Sequence, residues 1–94
     1  MYPEVKEAIE GSKWISNNVP EYNKKIIYSD FLWPHFSWYL KMKVNSLIIE
    51  NITSINDSLN KIHVDYYLSS YYNESLDSYR KKLEIGNLTI FEKI

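Results

Sequence analysis

The side chains best suited to chemistry crowd into one stretch. Asp30 is followed by Phe31-Leu32-Trp33-Pro34-His35-Phe36-Ser37-Trp38-Tyr39-Leu40. A carboxylate and an imidazole this close in sequence can form an acid–base pair or half of a metal site. The alternative is structural: Asp30 caps the helix that follows, and the aromatics pack on a sheet. One Asp and one His do not close a metal site, and no third ligand is suggested, so neither a metal nor a cofactor is expected. His63, the only other histidine, reads as a surface or packing residue.

Other chemistries are excluded by what the chain lacks. With no cysteine there is no disulfide, thiolate metal site or cysteine nucleophile. Gly11 and Gly86 are the only glycines, so neither a dinucleotide fingerprint nor a phosphate-binding loop can be built. No G-x-S-x-G elbow is present, and nucleophilic hydrolysis has no support. Eleven basic against 12 acidic residues leave a net charge of −1, which argues against a nucleic-acid partner. Hydrophobic residues at 45% and charged residues at 24% are ordinary globular values, and 94 residues suit one small domain spanning 1–94. No apolar run approaches the ~20 residues of a membrane span. Glu4, Glu7 and Glu10 stand where a signal peptide would be basic and then apolar.

The elements that must position the Asp30 stretch follow from periodicity. Pro3 opens a helix whose apolar residues Val5, Ala8, Ile9, Ile15 and Val19 recur at helical spacing, with a stop at Asn17-Asn18. Gly11 costs that helix about 1 kcal/mol relative to Ala. Lys24 to Tyr28 reads as a short central strand ended by Ser29-Asp30. Pro34 suits the first turn of a helix running to about Met42. Val44 to Ile49 is a second strand, and Ser54 caps a helix carrying Ile55, Leu59 and Ile62. Val64 to Leu68 is a third strand. Ser75 to Leu83 reads as a helix with Leu76, Tyr79 and Leu83 on one face. Gly86-Asn87 is a turn, and Leu88 to Ile94 alternates as a last strand.

This order predicts an α/β fold: a three-layer α/β/α domain on a mostly parallel four-stranded sheet, strand order 2-1-3-4. The alternating last strand is expected antiparallel at an edge. Ligands of such sheets bind beyond the carboxyl ends of the strands, where strand order reverses, which is where Asp30 falls.

Composition adds a second theme. Nine Tyr, with abundant Ile, Lys and Asn but a single Ala and a single Arg, fit an AT-rich coding sequence. Four N-x-[ST] sequons occur, at Asn51, Asn56, Asn73 and Asn87. About one is expected by chance from this Asn and Ser/Thr content, so the excess points towards an extracytoplasmic domain.

A longer pattern links these segments: Gly11-Ser12-Lys13-Trp14-Ile15, Asn18-Val19-Pro20, Ile26-Ile27-Tyr28-Ser29-Asp30, Trp33-Pro34, Ser37-Trp38-Tyr39-Leu40, Val64-Asp65-Tyr66-Tyr67 and Gly86-Asn87-Leu88-Thr89-Ile90-Phe91. It resembles the soluble C-terminal domain of archaeal multi-spanning membrane glycosyltransferases of the GT-C superfamily, those labelled dolichyl-phosphate-mannose-protein mannosyltransferase or aminoarabinose-transferase-like. The resemblance covers nearly the whole chain, with gaps between residues 44 and 62. It implies a non-catalytic accessory domain on the extracytoplasmic side of the membrane, its partners being the transmembrane part of its own parent chain and an acceptor glycan or protein. The sugar would come from a polyprenyl-phosphate donor, and the catalytic acid would lie between transmembrane helices outside this chain. There is also a more distant likeness to oligosaccharyltransferase catalytic subunits. Asp30-Phe31-Leu32-Trp33 takes the strand-to-helix place of their W-W-D-Y-G motif without matching it. Asp30, Phe31, Trp33, His35 and Tyr39 are therefore the candidate contacts to acceptor or membrane domain. The alternative to this reading is a free-standing α/β module that binds a ligand or protein.

Overall fold

A computed structural model describes residues 3–48 and 54–94. Its elements are helix α1 (Pro3–Asn18), a single 3₁₀ turn (Tyr22–Lys24), β1 (Ile27–Ser29), α2 (Trp33–Leu40), β2 (Asn45–Ser46), α3 (Ile55–Lys61), β3 (Tyr66–Ser69), β4 (Tyr79–Ile85) and β5 (Leu88–Lys93). The described residues form a mixed α/β fold, one sheet of five strands in the order β2-β1-β3-β5-β4 with three α-helices. β1 pairs in parallel with β2 and β3, whereas β5 runs antiparallel to β3 and β4.

The helices form largely where the residue pattern places them. α1 begins at Pro3 and ends at Asn18, whose amide donates to the Trp14 carbonyl at 2.9 Å. Gly11 sits on its buried face. A Cβ there would lie 2.6 Å from Leu88 Cδ2, so the glycine lets the helix approach β5 closely. Ser54 caps α3 by accepting from the Asp57 N–H.

Alternation along the strands splits the core between the two faces of the sheet. On one face, Ala8 and Ile15 of α1, Val19 just beyond it, and Phe36 and Leu40 of α2 pack with Ile27, Leu68, Leu88 and Ile90. On the other, Leu59 of α3 packs with Val64, Tyr67, Leu76, Tyr79 and Phe91. Each fully buried side chain of this kind contributes roughly 1.5–3 kcal/mol of transfer free energy.

Three expectations are corrected. The segment expected as a helix over Ser75–Leu83 is instead a bend followed by β4. The Gly86-Asn87 turn joins β4 to β5 as a two-residue hairpin, with Gly86 at a φ of 56°. The register shifts between Lys81 and Leu83, leaving Lys82 as an extra, bulged residue. The bulge switches the strand's inward face: Tyr79 joins the α3 side, whereas Leu83 packs on the α1 side. The spacing from Leu76 through Tyr79 to Leu83 imitates a helix because two faces of one strand are being read as one. Next, the last strand is not an edge. β4 covers it, and Leu88 to Phe91 are buried. The sheet is consequently half parallel and half antiparallel rather than mostly parallel. Lastly, the first two strands are shorter than expected. β1 starts at Ile27, and β2 pairs only over Asn45–Ser46. Ile49, the expected end of the second strand, lies outside the described residues.

Candidate functional site

The carboxyl ends of β1 and β2 and the loop after β3 enclose an open cleft of about 600 Å³. Asp30, Phe31, Leu32 and Trp33 form one wall. Ser46, Leu47 and Ile48 form another, with Tyr71 beside them. It lies beyond strand β1, which has a parallel neighbour on each side, the place where open α/β sheets bind ligands.

Local hydrogen bonds hold its floor. Ser29 ends β1 with its hydroxyl within hydrogen-bonding distance of two carbonyls, Leu68 at 2.8 Å and Phe31 at 2.6 Å, its one proton serving either. The Leu47 N–H donates to the Ser29 carbonyl at 2.9 Å. Leu32 then turns the chain into α2 through left-handed backbone, with a φ of 46°. For a bulky L-residue this conformation costs about 1–2 kcal/mol, and here it belongs to a side chain that lines the cleft.

Asp30 is the centre of a small polar network. Its Oδ2 accepts from the Tyr67 hydroxyl at 2.7 Å and from the Ser69 hydroxyl, while Oδ1 accepts from the Ser70 N–H at 2.9 Å. Ser69 Oγ in turn accepts from the N–H groups of Tyr71 and Tyr72. Asp30 thus anchors the start of the loop that carries Tyr71. Burial pushes the Tyr67 phenol far above its ordinary range; the Ser69 hydroxyl opposes this, and the charge and hydrogen bond of Asp30 add to the rise. Tyr67 therefore stays a donor to Asp30. A carboxylate offers about four acceptor positions, and three are filled, so Asp30 retains room for one further donor from the cleft side.

The apolar part of the cleft faces solvent. Trp33 is 44% exposed, Ile48 66% and Tyr71 71%. Phe31 is half-buried and meets Phe36 edge-on, with ring centroids 5.8 Å apart.

Of the residues singled out from the sequence, Asp30, Phe31 and Trp33 line this cleft, and His35 and Tyr39 do not. His35 is half-buried in the first turn of α2 with its Nδ1 enclosed and, among the described residues, without a partner, and the hydrogen bonds of Asp30 go to Tyr67, Ser69 and Ser70 rather than to His35. The acid–base pair is thus not assembled. Nor does Asp30 cap α2, because Leu32 holds that position without a side-chain bond. Tyr39 is on the outer surface of α2, next to Trp38, which is 78% exposed. Among the described residues no three His, Asp or Glu side chains gather into a metal site.

Ser46, Leu47, Ile48 and Tyr71 were missed. The rule that placed Asp30 at a strand's carboxyl end applies equally to the neighbouring strands β2 and β3, and following it there leads to these residues. The sequons are scattered. Asn73 is exposed in the loop before β4, Asn56 is half-buried in α3, Asn87 is in the hairpin turn, and Asn51 lies outside the described residues. A second, more polar groove of about 420 Å³ runs between Ser54, Asn56, Tyr72 and Asp77. No family model, curated protein or solved structure matches the chain.

Proposed function

We propose that this domain binds rather than catalyses, and that it serves as an accessory domain of a membrane glycosyltransferase acting with a polyprenyl-phosphate sugar donor. The observation that carries the reading is the cleft. Three large apolar side chains, Trp33, Ile48 and Tyr71, stand exposed around a carboxylate already held by three donors. Such a surface suits contact with a second body, because aromatic anchors lose little conformational entropy on burial while the fixed acceptor orients what arrives. Among the described residues no nucleophile–base pair converges on it.

The resemblance of the Trp33-Pro34, Val64-Asp65-Tyr66-Tyr67 and Gly86-Asn87-Leu88-Thr89 segments to GT-C enzymes supplies the partner. In this reading the fold is a thin three-layer α/β/α domain, α1 and α2 on one face and α3 on the other. It sits on the extracytoplasmic side of the membrane, with the cleft turned towards the transmembrane part of the parent chain or its acceptor glycan or protein.

Two measurements test this. The reading frame upstream should encode several apolar segments of ~20 residues, and their absence removes the glycosyltransferase in favour of a free-standing binding module using the same cleft. The purified 94-residue chain should turn over no lipid-linked sugar. Turnover that is lost in Asp30→Ala defeats the non-catalytic reading.

A further inference from the structure

The four sequons are equivalent as text, but the three among the described residues differ as surfaces. An oligosaccharyltransferase must grip the acceptor amide and the hydroxyl two residues later at the same time. In an α-helix those two side chains point about 200° apart, so a helical sequon cannot present both. Asn56-Asp57-Ser58 lies in α3, and the Asn56 carboxamide oxygen already accepts from the Ser78 N–H at 2.9 Å. In a strand the two side chains share a face, which helps only if that face is open. Asn87 is at the hairpin turn with its N–H on the Glu7 carboxylate at 3.1 Å, and its hydroxyl partner Thr89 is only 3% exposed, paired with Ser69 on one side and Glu84 on the other. Reaching Thr89 requires β5 to leave the sheet.

Asn73-Glu74-Ser75 differs on every count. All three residues are exposed, they lie between β3 and β4 in irregular backbone, and among the described residues neither Asn73 nor Ser75 has a side-chain hydrogen bond. The loop's base is fastened by the Ser69 hydroxyl to the N–H groups of Tyr71 and Tyr72, so the sequon projects from a held stem.

We propose that, of the three sequons among the described residues, Asn73 is the N-glycan acceptor of the folded domain. The donor class is a polyprenyl-diphosphate-linked oligosaccharide. The bond from sugar C1 to the phosphate oxygen breaks, the bond from C1 to Asn73 Nδ2 forms, the diphosphate leaves with the bonding electron pair, and the amide nitrogen gives up one proton. Use of the site in the cell rests on the extracytoplasmic placement above, whereas the reactivity of the folded surface does not.

The test starts from the full chain carrying Asn51→Gln, which leaves the sequons at Asn56, Asn73 and Asn87. The folded protein is incubated with a purified oligosaccharyltransferase, its divalent metal and the lipid-linked oligosaccharide, beside a peptide spanning residues 70–78. Intact mass should rise by one glycan. That gain should vanish completely in Asn73→Gln and in Ser75→Ala and persist in Asn56→Gln and Asn87→Gln. A glycan retained in Asn73→Gln overturns the assignment. So does a folded chain left unmodified in a reaction that modifies the peptide. Enzyme and donor are supplied in solution, so either result stands whether or not the upstream membrane segments exist.

Discussion

Two aromatic-rich regions meet opposite fates in this fold. In the first connection, Phe31 to Tyr39, Trp33, Trp38 and Tyr39 keep much of their surface in water. Around β3, Tyr66 and Tyr67 with Tyr79 and Phe91 are almost fully enclosed. Aromatic content is similar, so the residue types do not explain the difference. Position does. β3 has a strand on each side and is buried along its whole length, while α2 is a short helix that buries Phe36 and Leu40 and leaves Trp33, Trp38 and Tyr39 towards solvent. Enclosed tyrosines must also place their hydroxyls: Tyr66 on Glu92, Tyr67 on Asp30 and Tyr79 on the Val64 carbonyl. The exposed tryptophans carry no such obligation and remain free to meet a partner.

The sharpest way to break this contrast is to truncate inside it. Phe91→Ala removes a ring stacked on Tyr67 at 5.5 Å and should cost about 3–5 kcal/mol in denaturant unfolding. A loss under about 1 kcal/mol would mean that the α3 side of the sheet is not a packed core.

Asp30→Ala comes next, because Asp30 joins the two regions. It strands the Tyr67 hydroxyl, the Ser69 hydroxyl and the Ser70 N–H together, with an expected cost of about 1–3 kcal/mol. Adding Tyr67→Phe should recover part of it, and simple additivity in that double-mutant cycle would show that the two side chains are not coupled.

Alkaline titration separates the two regions without mutation. Burial pushes the Tyr79 phenol from 10.0 up to about 12, helped by the Asp65 charge, and raises Tyr66 and Tyr67 further. The folded state holds these protons more tightly than the unfolded chain does. Their stabilisation is present in full below about pH 10 and is lost as pH rises through about 12. The urea midpoint should therefore be level to about pH 9 and fall beyond it, and phenolate absorbance should show the enclosed tyrosines ionising only as the chain unfolds. A midpoint that rises above pH 10 would contradict the enclosed hydroxyls.

The smallest effect is expected at Trp33, an exposed ring on the wall of the cleft. Trp33→Ala should change stability by no more than about 0.5 kcal/mol, and under the accessory-domain reading proposed above it should impair transfer by the parent glycosyltransferase. A cost of about 3–5 kcal/mol would place Trp33 with the core aromatics and end its reading as a contact surface.

Much of this division could be read from residue order, though not all. Val64-Asp65-Tyr66-Tyr67-Leu68 announces a strand because β-branched, aromatic and aliphatic residues dominate it. Gly86-Asn87 announces a turn because the chain needs a positive φ there. Asp30 could be placed at the end of a central strand, since Ser29-Asp30 stops an apolar run and α/β sheets bind ligands at that level. Its actual partners could not be named. Tyr67, Ser69 and Ser70 are brought to it only by the parallel pairing of β1 with β3. The same holds for the cleft's far wall, where Ile48 and Tyr71 are ordinary apolar residues until the sheet sets them beside Trp33.

What the amino-acid order determined, then, is local: the helix starts at Pro3 and Ser54, the α1 stop at Asn18, the hairpin turn, the apolar runs of β1 and β3, and the order in which three parallel strands must follow their helices. These depend on backbone preferences and on spacing within a few residues. Tertiary structure decided the rest. Whether Tyr79-Arg80-Lys81-Lys82-Leu83 became helix or strand depended on a partner: β5 offers a row of N–H and C=O groups, and one bulge at Lys82 lets Tyr79 and Leu83 bury on opposite faces. Which aromatics became core and which became surface depended likewise on what packs against them: Phe36 and Trp38 share α2, yet Phe36 is buried and Trp38 is exposed. Burial is a property of the neighbours, and only the folded chain supplies them.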